Sequence, residues 1–171
     1  MSGDQVANIA ISVLNSVAVL ALVSLGLAVI FGMMRVINLA HGEFLMLGAF
    51  ATLQLTRWGI DIWPAMLLGA LAVGAFGIVV ERLLIQHLYG RLADTMLATW
   101  GLSLVLVQAV VQIYGPATRG IPTPLGSFSI GRYSFSTYTL VMIGAAAGLL
   151  ALVFWVFTRT RYGIVARAIS P

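Results

Sequence analysis

The 171-residue chain contains no cysteine and no lysine. Without cysteine there is no disulfide framework, no thiol nucleophile and no thiolate metal site. Without lysine there is no phosphate-loop lysine, no Schiff base and no Ser-Lys dyad, so any linked nucleotide hydrolysis has to take place on another polypeptide. Charge is scarce as well: 8% of residues are charged against 61% hydrophobic, with a mean hydropathy of +1.05. A soluble globule of this length needs far more polar side chains to coat its surface. Composition therefore predicts an integral membrane protein. The residues around Asp4 are acidic rather than basic, and the apolar run after them is far longer than a signal-peptide core, so the first span is expected to be retained rather than cleaved.

All nine basic residues are Arg. A sequence pI near 10.1 would suit nucleic acid if the arginines shared one face, but they stand singly at the ends of apolar runs, as topology determinants do.

A helix rising about 1.5 Å per residue needs roughly 20 apolar residues to cross a hydrocarbon core near 30 Å thick. Residues 5–34, 62–80, 95–113 and 136–158 meet that length, and residues 36–56 make a fifth span only if their polar half enters the membrane. With five crossings the loops alternate. Arg35, Arg82, Arg91, Arg159, Arg161 and Arg167 then fall on one side, and Arg57, Arg119 and Arg132 on the other. The positive-inside bias places the C-terminus in the cytoplasm and the N-terminus outside. The expected fold class is an all-α polytopic membrane protein of about five transmembrane helices, one of them short or glycine-interrupted.

Between the spans, Glu81, Arg82, His87, Arg91 and Asp94 are expected in a short, solvated cytoplasmic connection. Residues 114–135, with three prolines and four glycines, predict an extracytoplasmic loop without a regular core element. Tyr114, Phe128, Tyr133 and Phe135 suit interface anchors there. Gly144 and Gly148 form a small-xxx-small pattern for helix packing, and Ala65 with Gly69 and Ala70 with Gly74 repeat it on an earlier span.

Polarity inside the apolar sequence concentrates at Asn38, His41, Gly42 and Glu43. A carboxylate beside an imidazole can shuttle protons or hold a cation. On an unbroken helix, however, His41 and Glu43 point about 200° apart, while Asn38 and His41 share a face. A break at Gly42 would bring the pair together, and short glycine-interrupted segments point to solute sites near the membrane midplane. Alternatively, Asn38 caps a helix at the surface and Glu43 offsets its dipole. The uncharged remainder, residues 44–56, would then span only about 20 Å, too short for a full crossing. With so few ligands, no metal site is expected.

Two motifs carry a family resemblance. GLAVIFGMMRVINLAHGEFLMLGAF, residues 26–50, closely resembles the permease subunits of ABC importers for branched-chain amino acids and their relatives. The tail TRTRYGIVARAIS, residues 158–170, is similar to the start of their cytoplasmic coupling region, and LYGRLADTMLATWGLSLVL, residues 88–106, looks most like the urea-importing branch. The resemblance implies a bacterial inner-membrane permease, itself not an enzyme and without a cofactor. It would work with a second permease subunit, cytoplasmic ATPase subunits carrying ATP, and a periplasmic solute-binding protein. Branched-chain amino acids or urea and short amides would pass by alternating access. Asn38, His41, Gly42 and Glu43 would line the solute pathway, and Arg159, Arg161, Tyr162, Gly163 and Arg167 would couple to the ATPase. On this basis residues 1–171 are a partial permease domain, an N-terminal half, with residues 159–171 beginning the coupling region. A gradient-driven carrier or channel using His41 and Glu43 is the alternative.

Overall fold

A computed structural model describes residues 3–34, 36–117, 120–121 and 124–159. Five α-helices dominate it: α1 (Gly3–Met34), α2 (His41–Arg57), α3 (Ile62–Leu83), α4 (Leu92–Tyr114) and α5 (Thr137–Arg159). Among the described residues, α1, α3, α4 and α5 are long and apolar enough to cross a membrane. Each leaves most of its apolar surface uncovered by the chain itself, as lipid-facing helices do. At 17 residues, α2 extends about 25 Å and falls short of a full crossing. The chain is an all-α polytopic membrane protein. It divides into two compact units, residues 1–33 with 122–171, and residues 34–121.

In the second unit α2 and α3 form an antiparallel hairpin closed by a Schellman turn. Gly59 takes φ +88°, the Ile60 N–H bonds to the Leu55 carbonyl at 3.2 Å, and the Gly59 N–H bonds to Thr56 at 3.1 Å. Asp61 then caps α3 by accepting from the Trp63 N–H at 3.1 Å, and Pro64 occupies the first turn, where its missing N–H costs nothing. The seam between the two helices runs along Phe44, Gly48 and Thr52 on α2 and Ala65, Gly69 and Val73 on α3, each series spaced by one helical turn. A methyl group at Gly69 would lie 2.7 Å from the Thr52 hydroxyl and 3.3 Å from the Gly48 carbonyl. Only a residue without a side chain permits that approach. Thr52 returns its hydroxyl proton to Gly48 at 2.9 Å, so the polar atom is satisfied inside the contact. Phe44 meets Phe76 at 5.7 Å between ring centroids.

A short 3-10 turn, Ile85–Leu88, leads to Gly90 at φ +80° and into α4. The connection is shorter than its charges suggest: Glu81 and Arg82 complete α3, and Asp94 sits in the first turn of α4, paired with Arg91 at 2.7 Å. Tyr89 in this connection donates to Glu81 at 2.9 Å. Partial burial first, then the Glu81 carboxylate, pushes its phenol above the usual range.

In the first unit α1 carries Ser16, whose hydroxyl folds back on the Ser12 carbonyl at 3.0 Å. Residues 114–135, expected to lack regular structure, contain a hairpin. Strand β1 (Ser127–Ile130) pairs antiparallel with β2 (Tyr133–Ser136), Phe128 facing Phe135 and Ser129 facing Ser134. The Phe128 and Phe135 rings stack at 5.6 Å. The physical reason is alternation: SFSI and YSFS place their aromatic residues in register across a two-residue turn at Gly131 and Arg132, a signal masked by the surrounding glycine and proline. Gly131 takes φ +58°, and a Cβ there would collide with the Asp4 carboxylate. Ser136 ends the strand and starts α5, accepting from the Tyr138 N–H at 3.2 Å.

Candidate functional site: a helix break held by hydroxyls

Residues 36–38 are not helical, residues 39–40 form a turn, and α2 starts only at His41. The span expected over residues 36–56 therefore begins its helix five residues late. No break occurs at Gly42, where α2 continues without interruption; the element is short rather than glycine-interrupted. The reason lies in Asn38. Its side-chain oxygen accepts from the Ala40 N–H at 3.0 Å, an Asx turn that competes with helix. Its carbonyl accepts from the His41 N–H at 3.4 Å, and the Ala40 carbonyl then takes the Glu43 and Phe44 N–H groups at 3.1 and 3.2 Å. Asn38 thus organises the turn before the helix, while the cap position itself belongs to Ala40, which has no side-chain oxygen to offer.

The Leu39 N–H is satisfied from another helix. It donates to Oγ1 of Thr99 on α4 at 3.1 Å, and Thr99, fully buried, passes its own proton to the Thr95 carbonyl at 2.9 Å. One turn further along α4, Ser103 donates to Oε1 of Glu43 at 2.6 Å. At the far end, the Tyr114 hydroxyl reaches Oε1 of Gln54 at 3.5 Å and its ring packs on Phe50 at 4.6 Å. Leu39 with Thr99, Glu43 with Ser103 and Gln54 with Tyr114 all stand 60 residues apart. A constant offset means that α2 and α4 run parallel and in register.

That register fixes depth. Ser103 lies 11 steps after Leu92 in a helix of 23 residues, about 17 Å along it, at the middle turn of a helix long enough to span. The polar segment from Asn38 to Glu43 is level with the interior of α4 rather than with its end. Along the segment Val36 and Ala40 are buried, Asn38, His41 and Glu43 are half-buried, and Leu39 and Gly42 are exposed.

The structure does not assemble an Asn-His-Glu triad. His41 and Glu43 occupy the first turn of one continuous helix, two residues apart and on different faces. Glu43 takes its hydrogen bond from Ser103. Among the described residues no group of three or more His, Asp or Glu side chains could hold a metal ion. Sequence reasoning missed Thr95, Thr99 and Ser103. Their signal was available, three hydroxyl residues at i, i+4 and i+8 forming one stripe on an otherwise apolar span.

Farther along α2, Ala49, Phe50, Leu53 and Ile121 line an apolar recess of about 210 Å³. Arg159 closes α5 as an exposed last-turn cation, complementing the negative end of the helix dipole. Arg161, Tyr162, Gly163 and Arg167 lie outside the described residues. Around Gly144 and Gly148, nothing described comes within 4 Å of where a Cβ would stand.

Residues 9–170 match the family described as branched-chain amino acid transport system / permease component. The chain is similar to the high-affinity branched-chain amino acid transport system permease protein BraD of Pseudomonas aeruginosa, 32% identical over 165 residues. That alignment covers 86% of this chain and 53% of the relative, so the chain spans about half the length of the curated relative it matches. No solved structure matches it. A helix break at mid-depth of a polytopic all-α chain, in a sequence that matches the family from residue 9 to residue 170, makes this chain a member of the branched-chain amino acid transport system permease family.

Proposed function

We propose that the chain serves as a permease subunit of an ATP-driven ABC importer in a bacterial inner membrane and carries branched-chain amino acids by alternating access. The observation that carries this is the family match over residues 9–170. The geometry supports it: a short helix beginning at mid-depth beside a spanning neighbour is how transporters expose polar backbone to a solute without exposing it to lipid. Asn38, His41, Gly42 and Glu43 line the pathway at that break. The recess beside Phe50 is lined mostly by apolar surface, which suits a branched aliphatic group.

ATP is hydrolysed on cytoplasmic partner subunits. A second permease completes the pathway, and a periplasmic binding protein delivers the solute. The N-terminus is outside, and Arg159, Arg161, Tyr162, Gly163 and Arg167 form the coupling region against the ATPase. Urea or a short amide is a second solute class, supported only by the resemblance of residues 88–106 to the urea-importing branch. The gradient-driven alternative relied on His41 and Glu43 acting as a pair, and their different faces on α2 remove its structural support.

The test is import of radiolabelled leucine by the complete transporter in proteoliposomes, with ATP inside and binding protein supplied. Uptake must require ATP and survive collapse of the proton gradient. Leucine uptake that persists without ATP, or urea uptake that outruns leucine, sinks the assignment to an ATP-driven amino acid importer.

A further inference from the structure

Glu43 is the acidic residue of α2, and it sits level with the middle turn of α4. A charged side chain at the centre of a bilayer costs roughly 2.5–3.5 kcal/mol on insertion scales and is normally paired. Here one carboxylate oxygen is fixed. Oε1 accepts from Ser103 at 2.6 Å, a short hydroxyl–carboxylate hydrogen bond. The second oxygen is different. Among the described residues no donor and no cation meets Oε2, and no buried side-chain oxygen is left unpartnered, so Oε2 keeps an open face. The chain has no lysine at all, and none of its described arginines lies within ion-pair distance of Glu43.

The N-terminal end of α2 and the Ser103 hydroxyl offset part of this charge, and a cation travelling along a solute pathway would supply the rest. Resting on the transport function proposed above, we infer that Glu43, oriented by Ser103, is the site on that pathway that binds the α-ammonium group of the solute. A primary ammonium carries three donors and no acceptor. Oε2 of Glu43 receives one donor. The Ser103 oxygen, which has given its proton to Oε1, keeps lone pairs for a second. Ser103 is a positioning residue here, holding the carboxylate in one rotamer so that its open oxygen faces the path. Binding remains weak enough for release, because a single carboxylate rather than a cage holds the ammonium.

Two fragments of leucine separate the charges: 3-methylbutylamine keeps the amine and loses the carboxylate, and 4-methylpentanoate does the reverse. Saturation-transfer NMR of each against the complete transporter in nanodiscs, without binding protein, reads the site directly. The amine signal is expected in the wild type, at least about tenfold weaker with Glu43→Gln and retained with Glu43→Asp, as for loss of a charge-assisted hydrogen bond. The carboxylate probe should be unchanged throughout. Equal amine signals from wild type and Glu43→Gln overturn the inference. Should Glu43→Gln fail to assemble, Ser103→Ala decides: an amine signal at least about threefold weaker supports the site, and an unchanged one overturns it. ATP-dependent leucine uptake by the same wild-type preparation tests the transport function separately, so failure of one is not mistaken for failure of the other.

Discussion

The backbone N–H of Leu39 is bonded to the hydroxyl of Thr99, 60 residues further along the chain, at 3.1 Å. Water would satisfy that N–H at a membrane surface. At the depth of the eighth residue of α4, a neighbouring hydroxyl does so instead.

Thr99→Val should therefore be destabilising beyond its small change in volume. Leaving this part-buried donor without its partner costs up to about 1–3 kcal/mol, and Thr99→Ser, which keeps the oxygen, should recover most of that. Thermal unfolding of the purified protein in detergent measures both. Equal melting of the valine and serine variants would show that the hydroxyl does not hold the break.

Gly69→Ala should loosen the hairpin of α2 and α3 by about 1–3 kcal/mol, the range for overpacking a tight contact. The new methyl meets the Thr52 hydroxyl at 2.7 Å. Adding Thr52→Ala removes that oxygen, so the double variant should be less destabilised than the sum of the two singles. Strict additivity in the four-member cycle would mean that the two residues do not touch.

Gly131→Ala should weaken the hairpin of β1 and β2 for two separate reasons. A left-handed conformation costs an alanine about 1–2 kcal/mol, and the methyl also runs into Asp4. Combining it with Asp4→Ala should relieve the second cost and leave the first. Hydrogen exchange at the amides paired between the strands reads the difference; protection as high in Gly131→Ala as in the wild type would count against this geometry.

Gly144→Ala and Gly148→Ala should leave the chain itself as stable as before or slightly more so, since alanine is favoured over glycine in a helix by about 1 kcal/mol and no described atom stands in its way. If this small-residue face serves packing, its partner is not among the described neighbours, and the second permease subunit is the partner to test. Co-purification of the second permease should then fall in the double variant while the chain's own melting does not. Loss of both together would place the contact within the chain.

Composition alone made the membrane legible, and span length with arginine spacing made the long helices legible, because both depend on local sequence. The boundaries were less so. Asp94 and Glu81 looked like loop charges, yet each belongs to a helix terminus, where charge and helix coexist. The break at residues 36–40 was visible as misplaced polarity, its cause open between a break at Gly42 and a cap at Asn38; an Asn38 turn and a partner 60 residues away account for it. Local sequence shows that a backbone group needs a partner; it does not say which distant hydroxyl will supply one. The hydroxyl stripe of Thr95, Thr99 and Ser103 is visible in the sequence, but which groups it serves follows only from the parallel register of α2 and α4.

The offset of 60 residues also dictates an order of assembly during synthesis. When α2 leaves the ribosome, its start is polar, its length is insufficient for a span, and Thr99 does not yet exist. At roughly 5–20 residues per second, the partner for the Leu39 N–H arrives about 3–12 s later. Until then the Leu39 N–H lacks this partner. α2 can pair with α3 first, whereas the polar turn before it is completed only once α4 has been made.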